Sequence, residues 1–323
     1  MKWIIQATLV FTLFSCGKAQ ENNAQEIYDE FWTYVDQNYI YFDQKGVDWN
    51  EIYDKYSGSI NESTTEEELF NLMDASLLEL KDAHNIIYSE NKRSQQFDFR
   101  KGFDIYFSEN VVKTNYVKDS IGQLGNLYLA KLNDTIGYIY LPKFEEYYAL
   151  DKALYDFQIM GMKRIIIDVR NNGGGDSNQV PREISGLVNQ PTYLGAYVEK
   201  IGPGHSEISR EIGIYAQPSN WKLEIPVFVL INRGCYSATS YFAAMVKGLQ
   251  NVKLVGQITG GGGGGNLGFQ LSNGWLVAVS VSDFVDKVGK SIENGVEPDI
   301  YVENTAEDIE SFRDMMLEKA MFH

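Results

Sequence analysis

The sequence predicts an α/β fold, preceded by a small N-terminal helical subdomain and a short β segment. The main observation is that short β-branched runs alternate with helically spaced apolar residues from Asp134 onward. The second observation is a strand-to-helix junction at Ser237, and the third is a pair of glycine clusters after predicted strands. A length of 323 residues is enough for one large domain and a smaller one.

The composition is that of a globular, acidic protein. Lys and Arg total 28 and Asp and Glu total 44, which gives a net charge of −16. This surplus of negative charge argues against binding to nucleic acid or to anionic lipid by charge. It does not identify a substrate.

Residues 1–16 have the features of an export signal. Lys2 supplies a positive charge, and the apolar run Trp3–Phe14 is too short to span a bilayer but suits a secretory signal. Ser15 followed by Cys16 resembles the end of a bacterial lipoprotein signal, in which that cysteine is acylated after cleavage. We therefore expect an exported, lipid-anchored protein of the cell envelope, with residues 17–24 as a tether. An ordinary signal peptide with an incidental cysteine is the alternative.

Residues 25–90 predict a helical subdomain. Apolar residues recur at helical spacing from Ala24, and a second helix is expected near Trp49. A third helix follows Ser63-Thr64-Thr65, where Glu66-Glu67-Glu68 completes a capping box and places negative charge at the helix N-terminus. It is expected to end near His84.

Residues 91–133 are predicted to form a small β subdomain or an extension of the main sheet. Three β-like runs support this prediction, namely Phe103–Phe107, Val111–Tyr116 and Asn126–Leu132. The segment has too few residues for a full PDZ domain.

Residues 134–323 predict the α/β core. Four strands are expected, namely Ile136–Leu141, Ile165–Val169, Ile225–Ile231 and Val252–Ile258. Three helices are expected at Tyr147–Met160, from Ser237 onward and at Ala306–Met321. A hairpin is expected at Gln270–Val281. The helix Tyr147–Met160 is expected to point Met160 inward. Residues 182–220 are expected to be irregular.

Ser237 is predicted to lie at the N-terminus of a helix that directly follows a buried strand. A serine at this position is commonly an N-cap, and a nucleophile is the alternative. Cys235, two residues earlier, is a competing nucleophile, although it lacks the helix N-terminal position that lowers a thiol pKa.

The loop Arg170–Gly175 ends a predicted strand, where α/β proteins place ligand sites. The glycines do not match a dinucleotide fingerprint, and Gly289-Lys290-Ser291 has Phe284 where a P-loop needs glycine. The functional interpretation is an oxyanion hole built from the N–H of Gly173 or Gly174 and that of Ala238. A plain tight turn is the alternative.

The chain has three histidines, and His84 is the best-placed candidate base. His205 lies in a polar loop, which indicates a surface position, and His323 is the last residue. A structural role for His84 is the alternative.

Five motifs occur in one order along the chain: Leu80-Lys81-Asp82-Ala83-His84, Ile136-Gly137-Tyr138-Ile139, Ile166-Ile167-Asp168-Val169-Arg170-Asn171-Asn172-Gly173-Gly174-Gly175, Gly234-Cys235-Tyr236-Ser237-Ala238 and Gly295-Val296-Glu297-Pro298-Asp299. Together they resemble the serine peptidase family of the tail-specific (C-terminal processing) proteases and the tricorn protease core. The resemblance covers roughly Leu80 to the C-terminus. It implies a crotonase-like core and serine-type peptidase activity.

The family has two catalytic variants. The lysine of the Ser–Lys variant falls at Gly262 here, which excludes that variant. The resemblance to the tricorn-like variant implies Ser237 as nucleophile, His84 as base and Glu293 as the carboxylate that orients the imidazole.

Two departures from the tricorn-like pattern concern the carboxylate. Ala83 replaces the hydroxyl residue expected before the histidine, and Glu293 lies one residue closer to Gly295 than is usual. Asp82 is an alternative orienting group, and a surface acid in a turn is the alternative for Glu293. Asp168 and Arg170 are expected to be a structural pair.

The resulting expectation is a serine peptidase that cleaves peptides or unfolded segments through an acyl-enzyme, with no metal or organic cofactor. One alternative is a catalytically silent protein that binds peptides or apolar ligands on the same scaffold. Another is a hydrolase of small esters or amides.

Overall fold

The structure, a computed structural model, describes residues 23–145 and 150–323. The predicted signal segment with Cys16, most of the tether, and the first turn of the predicted helix Tyr147–Met160 lie outside the described residues. Across the described ranges, no helix combines the length and apolar character needed to cross a membrane.

The N-terminal region is helical, as predicted. Helices α1 (Ala24–Asn38), α2 (Phe42–Lys45), α3 (Trp49–Ser57) and α4 (Glu66–Glu79) follow one another. The predicted capping box is confirmed, because the Thr65 hydroxyl accepts from the Glu68 N–H and the Glu68 carboxylate accepts from the Thr65 N–H.

The region 85–133 differs from the prediction in part. It contains β1 (Ile86–Tyr88), α5 (Glu109–Val111), which continues as a π-helical turn Val112–Tyr116, and then β2 (Asp119–Leu124) and β3 (Leu127–Lys131). The predicted strand Asn126–Leu132 is confirmed, but Val111–Tyr116 is helical and Phe103–Phe107 is irregular, so these two predictions were wrong. Tertiary contacts decide the helical turn, because the Tyr116 hydroxyl bonds to both Glu318 and the Asp314 N–H. The predicted domain boundaries stay predictions.

The remaining elements alternate between strands and helices. In chain order they are β4 (Ile136–Tyr140), α6 (Leu150–Ile159), β5 (Arg164–Asp168), α7 (Val180–Glu183), β6 (Thr192–Glu199), β7 (Ile212–Ala216), β8 (Val227–Ile231), α8 (Ala238–Val246), β9 (Val252–Gly256), β10 (Gly264–Gln270), β11 (Leu276–Val285), β12 (Ile300–Tyr301), α9 (Ala306–Glu310) and α10 (Met315–Phe322). The α/β class is therefore confirmed.

A seven-stranded sheet forms the centre of the core. Its order is β12-β9-β8-β5-β4-β3-β2, in which β4, β5, β8, β9 and β12 run parallel and β2 and β3 add an antiparallel edge. The strands β4, β5 and β8 are almost wholly buried, as their continuous apolar sequences predict.

A second, five-stranded sheet has the order β1-β11-β6-β7, with β10 on the other edge of β11. The hairpin predicted around residues 272–274 is confirmed as β10 and β11. The prediction that residues 182–220 are irregular was wrong, because β6 and β7 lie there. The pairing partner of β6 is the distant β11, and a bulge at Gly195 interrupts the local strand pattern.

Two further predictions about helices were wrong. The segment predicted as one helix, Ala306–Met321, is two, because Phe312 has a φ of +57° and the Asp314 carboxylate caps a new helix at the Leu317 N–H. Met160, predicted to point inward, lies beyond the end of α6 and is 47% exposed.

The sheet geometry brings the two predicted functional loops together. Strands β5 and β8 are parallel neighbours, with Asp168 paired to Leu230 at their carboxyl ends. The glycine loop that follows β5 and the Ser237 junction that follows β8 must therefore meet at one edge of the sheet.

Candidate active site

Ser237 occupies a strained junction between β8 and α8. Its φ of 54° and ψ of −124° are unusual for a residue with a side chain. It stands at the N-cap position, but its hydroxyl makes no capping hydrogen bond. Its N–H instead donates to the Gly261 carbonyl at 2.9 Å. This backbone conformation turns the hydroxyl away from its own helix.

The hydroxyl of Ser237 faces His84. The distance from His84 Nε2 to Ser237 Oγ is 3.0 Å, within hydrogen-bond reach, although 153 positions separate the residues. His84 lies in the turn after α4, and its ring packs 5.0 Å from that of Tyr236. Burial lowers the pKa of His84 below its usual 6.5, Lys45 lowers it further, and Asp82 opposes the shift.

Asp82 is the carboxylate beside the second nitrogen of the imidazole. Its Oδ1 lies 3.8 Å from His84 Nδ1 and accepts from the His84 backbone N–H at 2.9 Å. The Ser280 hydroxyl donates to Oδ2 at 2.7 Å, which holds the buried carboxylate in place. His84 Nδ1 is buried and has no hydrogen-bond partner among residues 23–145 and 150–323.

Glu293 is buried near this group but does not contact His84. Its Oε1 lies 2.7 Å from Lys45 Nζ, and its Oε2 accepts from the Gly263 N–H at 2.9 Å. The interpretation as a surface acid was therefore wrong. Burial raises the pKa of Glu293 above its usual 4.5, with Asp82 acting in the same direction and the paired Lys45 against it.

The predicted oxyanion donors lie against Ser237. Gly174 has a φ of +107°, and a Cβ there would lie 2.9 Å from Ser237 Cβ and 3.1 Å from the Ala238 nitrogen. The Gly174 N–H already donates to Asn172 Oδ1 at 2.9 Å, so it is not free for a ligand. Gly173 lines the same cleft as Ser237 and His84, and within the described part of the chain its N–H has no partner. Of the two glycines, the geometry therefore favours Gly173.

The glycine run 260–265 packs against the segment that contains Ser237, because the Gly260 N–H donates to the Cys235 carbonyl and the Gly261 carbonyl accepts from the Ser237 N–H. Gly262 has a φ of +79°, and a Cβ there would lie 2.5 Å from the Tyr236 ring. No side chain fits at this position, which gives a steric reason for the absence of the lysine found in the Ser–Lys variant.

Cys235 is fully buried. Its thiol donates to the Val169 carbonyl at 3.1 Å, and burial raises its pKa to about 12. A protonated, enclosed thiol is a poor nucleophile, so the geometry does not support Cys235.

The other charged candidates lie away from the cleft. Arg170 is buried and bonds both Asp168 and Asp314, which confirms the predicted structural pair and adds a second carboxylate. His205 is exposed as predicted and contacts Asp36.

Sequence reasoning missed the aromatic wall of the cleft and the lysine behind it. The cleft, of about 510 Å³, is lined by His84, Ser237, Phe97 and Phe99, among others. Phe99 stacks on Tyr236 at 4.1 Å. Phe97 and Phe99 lie in an irregular segment, and Lys45 comes from the N-terminal helices, so no local motif marks them. Among the described residues, no group of three or more His, Cys, Asp or Glu could hold a metal ion.

A serine hydroxyl within reach of a histidine, at the carboxyl edge of an α/β sheet, is an arrangement typical of serine hydrolases. The model of peptidase family S41 matches residues 135–302, and that of the tricorn protease C1 domain matches residues 20–77. The chain therefore belongs to peptidase family S41, which confirms the predicted family and its serine-peptidase class.

Known relatives agree with this assignment. A crystal structure of a candidate peptidase from Parabacteroides merdae is 30% identical, with a TM-score of 0.87, and the match covers 93% of this chain and 96% of that one. The carboxyl-terminal-processing protease of Synechocystis sp. is 29% identical over 182 residues, which are 54% of this chain and 40% of that protein's length. Mature CPAF shares the fold, with a TM-score of 0.71 at 14% identity, covering 93% of this chain and 95% of that one.

Proposed function

We propose that this protein is a serine-type peptidase that cleaves peptide bonds through an acyl-enzyme on Ser237. The observation that carries the proposal is the 3.0 Å contact between Ser237 Oγ and His84 Nε2. Membership of a peptidase family supports catalysis over the catalytically silent alternative. The lowered pKa of His84 supports a neutral imidazole that is ready to accept a proton.

The proposed reaction begins with attack of Ser237 Oγ on the scissile carbonyl carbon. His84 Nε2 takes the hydroxyl proton and then gives it to the leaving amine. The C–N bond breaks, the amine departs, and the acyl group remains as an ester on Ser237 Oγ. The N–H groups of Gly173 and Ala238 stabilise the oxyanion. Water then attacks the ester carbonyl while His84 takes a proton from it. His84 returns this proton to Ser237 Oγ, and the carboxylic acid product leaves.

We assign the orientation of His84 to Asp82 rather than to Glu293. Asp82 Oδ1 lies 3.8 Å from Nδ1, whereas the oxygens of Glu293 are engaged by Lys45 and the Gly263 N–H. A carboxylate next to Nδ1 favours the Nδ1–H tautomer and stabilises the imidazolium. This assignment also makes the missing hydroxyl at Ala83 unimportant.

The proposed substrate is a peptide or an unfolded protein segment. Curated relatives are processing proteases of protein carboxyl termini, but the aligned part covers only 40% and 35% of the first two. The open cleft with aromatic walls suits an extended chain.

A fluorophosphonate probe tests the nucleophile. We expect labelling of the wild type and of Cys235→Ala, and none of Ser237→Ala. Cleavage of casein peptides by the wild type, measured by mass spectrometry, would support the peptidase. Turnover of small acyl esters without peptide cleavage would favour the esterase alternative, and no labelling of folded protein would favour the silent binder.

We also propose that the protein is exported and anchored to the cell envelope by a lipid on Cys16. The support is the signal-like sequence of residues 1–16. Metabolic labelling with an alkyne fatty acid should mark the wild type and not Cys16→Ser. Equal labelling of both would contradict the anchor.

A further inference from the structure

A second cavity adjoins the cleft that contains Ser237. It has a volume of about 370 Å³. Phe97, Phe99 and Tyr236 line both cavities, so the two share an aromatic wall. A peptide bound across Ser237 could therefore place a neighbouring group here.

The lining of this cavity is cationic, in contrast to the acidic chain around it. Lys45, Lys81 and Arg233 contribute three positive charges, and Glu293 contributes the single carboxylate. Lys45 and Glu293 pair with each other at 2.7 Å, whereas Lys81 and Arg233 form no salt bridge within the described ranges. The chain as a whole carries −16, so a local excess of positive charge is notable.

Lys81 and Arg233, the two cations without a salt bridge, have donor groups available for a ligand. Lys81 is exposed, and its ammonium forms no salt bridge within the described ranges. Arg233 donates from Nε to the Phe99 carbonyl at 2.8 Å and from Nη1 to the Thr259 carbonyl at 2.7 Å. Its guanidinium also lies 4.3 Å from the Phe103 ring, which fixes its plane. Nη2 donates to no group in the described part of the chain.

We propose that this cavity is a substrate subsite for a carboxylate carried by the peptide, an inference that rests on the proposed peptidase function. The fixed guanidinium of Arg233 and the exposed ammonium of Lys81 provide charge-assisted donors, and the aromatic walls contact the aliphatic part of the bound residue. The position of Phe99 in the cavity wall requires glycine at position 260, since a Cβ there would lie 2.5 Å from the Phe99 ring. The carboxylate is either an acidic side chain or the free C-terminus of the substrate.

The test uses fluorescein-labelled Ala/Leu octapeptides in which Glu or Gln is placed at each position in turn, with a free or amidated C-terminus. Binding to Ser237→Ala is measured by anisotropy, which needs no catalysis, and kcat/KM is measured with the wild type. We expect Glu to be preferred over Gln at one position, or the free terminus over the amide, by about fivefold at low salt.

Lys81→Gln should remove most of this preference, because it weakens binding of the carboxylate peptide more than binding of its neutral counterpart, whereas Lys81→Arg should retain the preference. Lys253→Gln is the matched control, because it removes one exposed lysine that does not line the cavity. Selectivity for Glu identifies the side chain as the source, and selectivity for the free acid identifies the terminus. Equal binding of all peptides, or equal selectivity in Lys81→Gln, would overturn the subsite. Absence of cleavage with selective binding intact would instead refute the proposed peptidase.

Discussion

Replacing Asp82 with asparagine is the sharpest test of how His84 is held. The substitution keeps the shape of the side chain and an oxygen that can accept from the His84 backbone N–H, but it removes the charge. Glu293 lies in the same buried region and gives a direct comparison, because it does not contact the imidazole.

The magnitude follows from the 3.8 Å distance between Asp82 Oδ1 and His84 Nδ1. At an effective dielectric constant of about 20, two unit charges at this distance attract by about 4 kcal/mol. Since each 1.4 kcal/mol corresponds to about a tenfold rate change, loss of this attraction to the imidazolium should lower kcat roughly 100- to 1,000-fold.

The assay is kcat for a fluorogenic peptide across pH, normalised to protein that reacts with the fluorophosphonate probe. Asp82 raises the pKa of His84, so Asp82→Asn should also move the acid limb of kcat/KM to lower pH. Structural damage alone would not produce that shift.

The double variant Lys45→Met/Glu293→Gln is the comparison, because it removes both members of the buried ion pair and leaves no unpaired charge. We expect it to stay within about tenfold of the wild-type kcat. If Asp82→Asn were nearly fully active with an unchanged acid limb, or if the double variant lost as much as Asp82→Asn, the assignment of Asp82 would be wrong.

Four further predictions concern the pH profile, the glycine loop beside Ser237 and stability. Burial lowers the pKa of His84, and the imidazole must be neutral to act as a base. The acid limb of the wild-type kcat/KM profile should therefore have its midpoint below pH 6.5, and a midpoint above pH 6.5 would contradict this prediction. Gly174→Ala should lower kcat by about 100-fold or more, because the new Cβ would displace the nucleophile Ser237. Gly102, which has a φ of +86° and open space around it, is the control, and Gly102→Ala should keep full activity. Equal losses of kcat in both variants would indicate that backbone strain alone is responsible. Arg170→Met should lower the free energy of unfolding in urea by about 3–5 kcal/mol, because two buried carboxylates lose their partner, and a loss below about 1 kcal/mol would refute this. Burial raises the pKa of Asp283 from 3.8 to about 6, so the stability that its protonated form contributes is present below pH 3.8 and is lost as pH rises through about 6. The free energy of unfolding of Asp283→Asn should therefore exceed that of the wild type by up to about 3 kcal/mol at about pH 8 and by much less at about pH 4. A difference that does not depend on pH would exclude this linkage.

The sequence by itself determined the α/β class, the family and the Ser237 junction. These features are local: buried parallel strands have continuous apolar runs, the capping box at Thr65 marks a helix start, and glycines follow strand ends. The motif that contains His84 was also visible in the sequence.

The tertiary structure decided everything that depends on pairing between distant segments. Strand β6 pairs with the remote strand β11, and β7 joins the sheet by pairing with β6. Val111–Tyr116 is helical because Tyr116 bonds to the C-terminal helix. The choice between Asp82 and Glu293 also required three dimensions. A carboxylate acts on the groups that lie within a few ångströms of it. Lys45 lies in the N-terminal helices and forms an ion pair with Glu293, and no local sequence pattern predicts this contact.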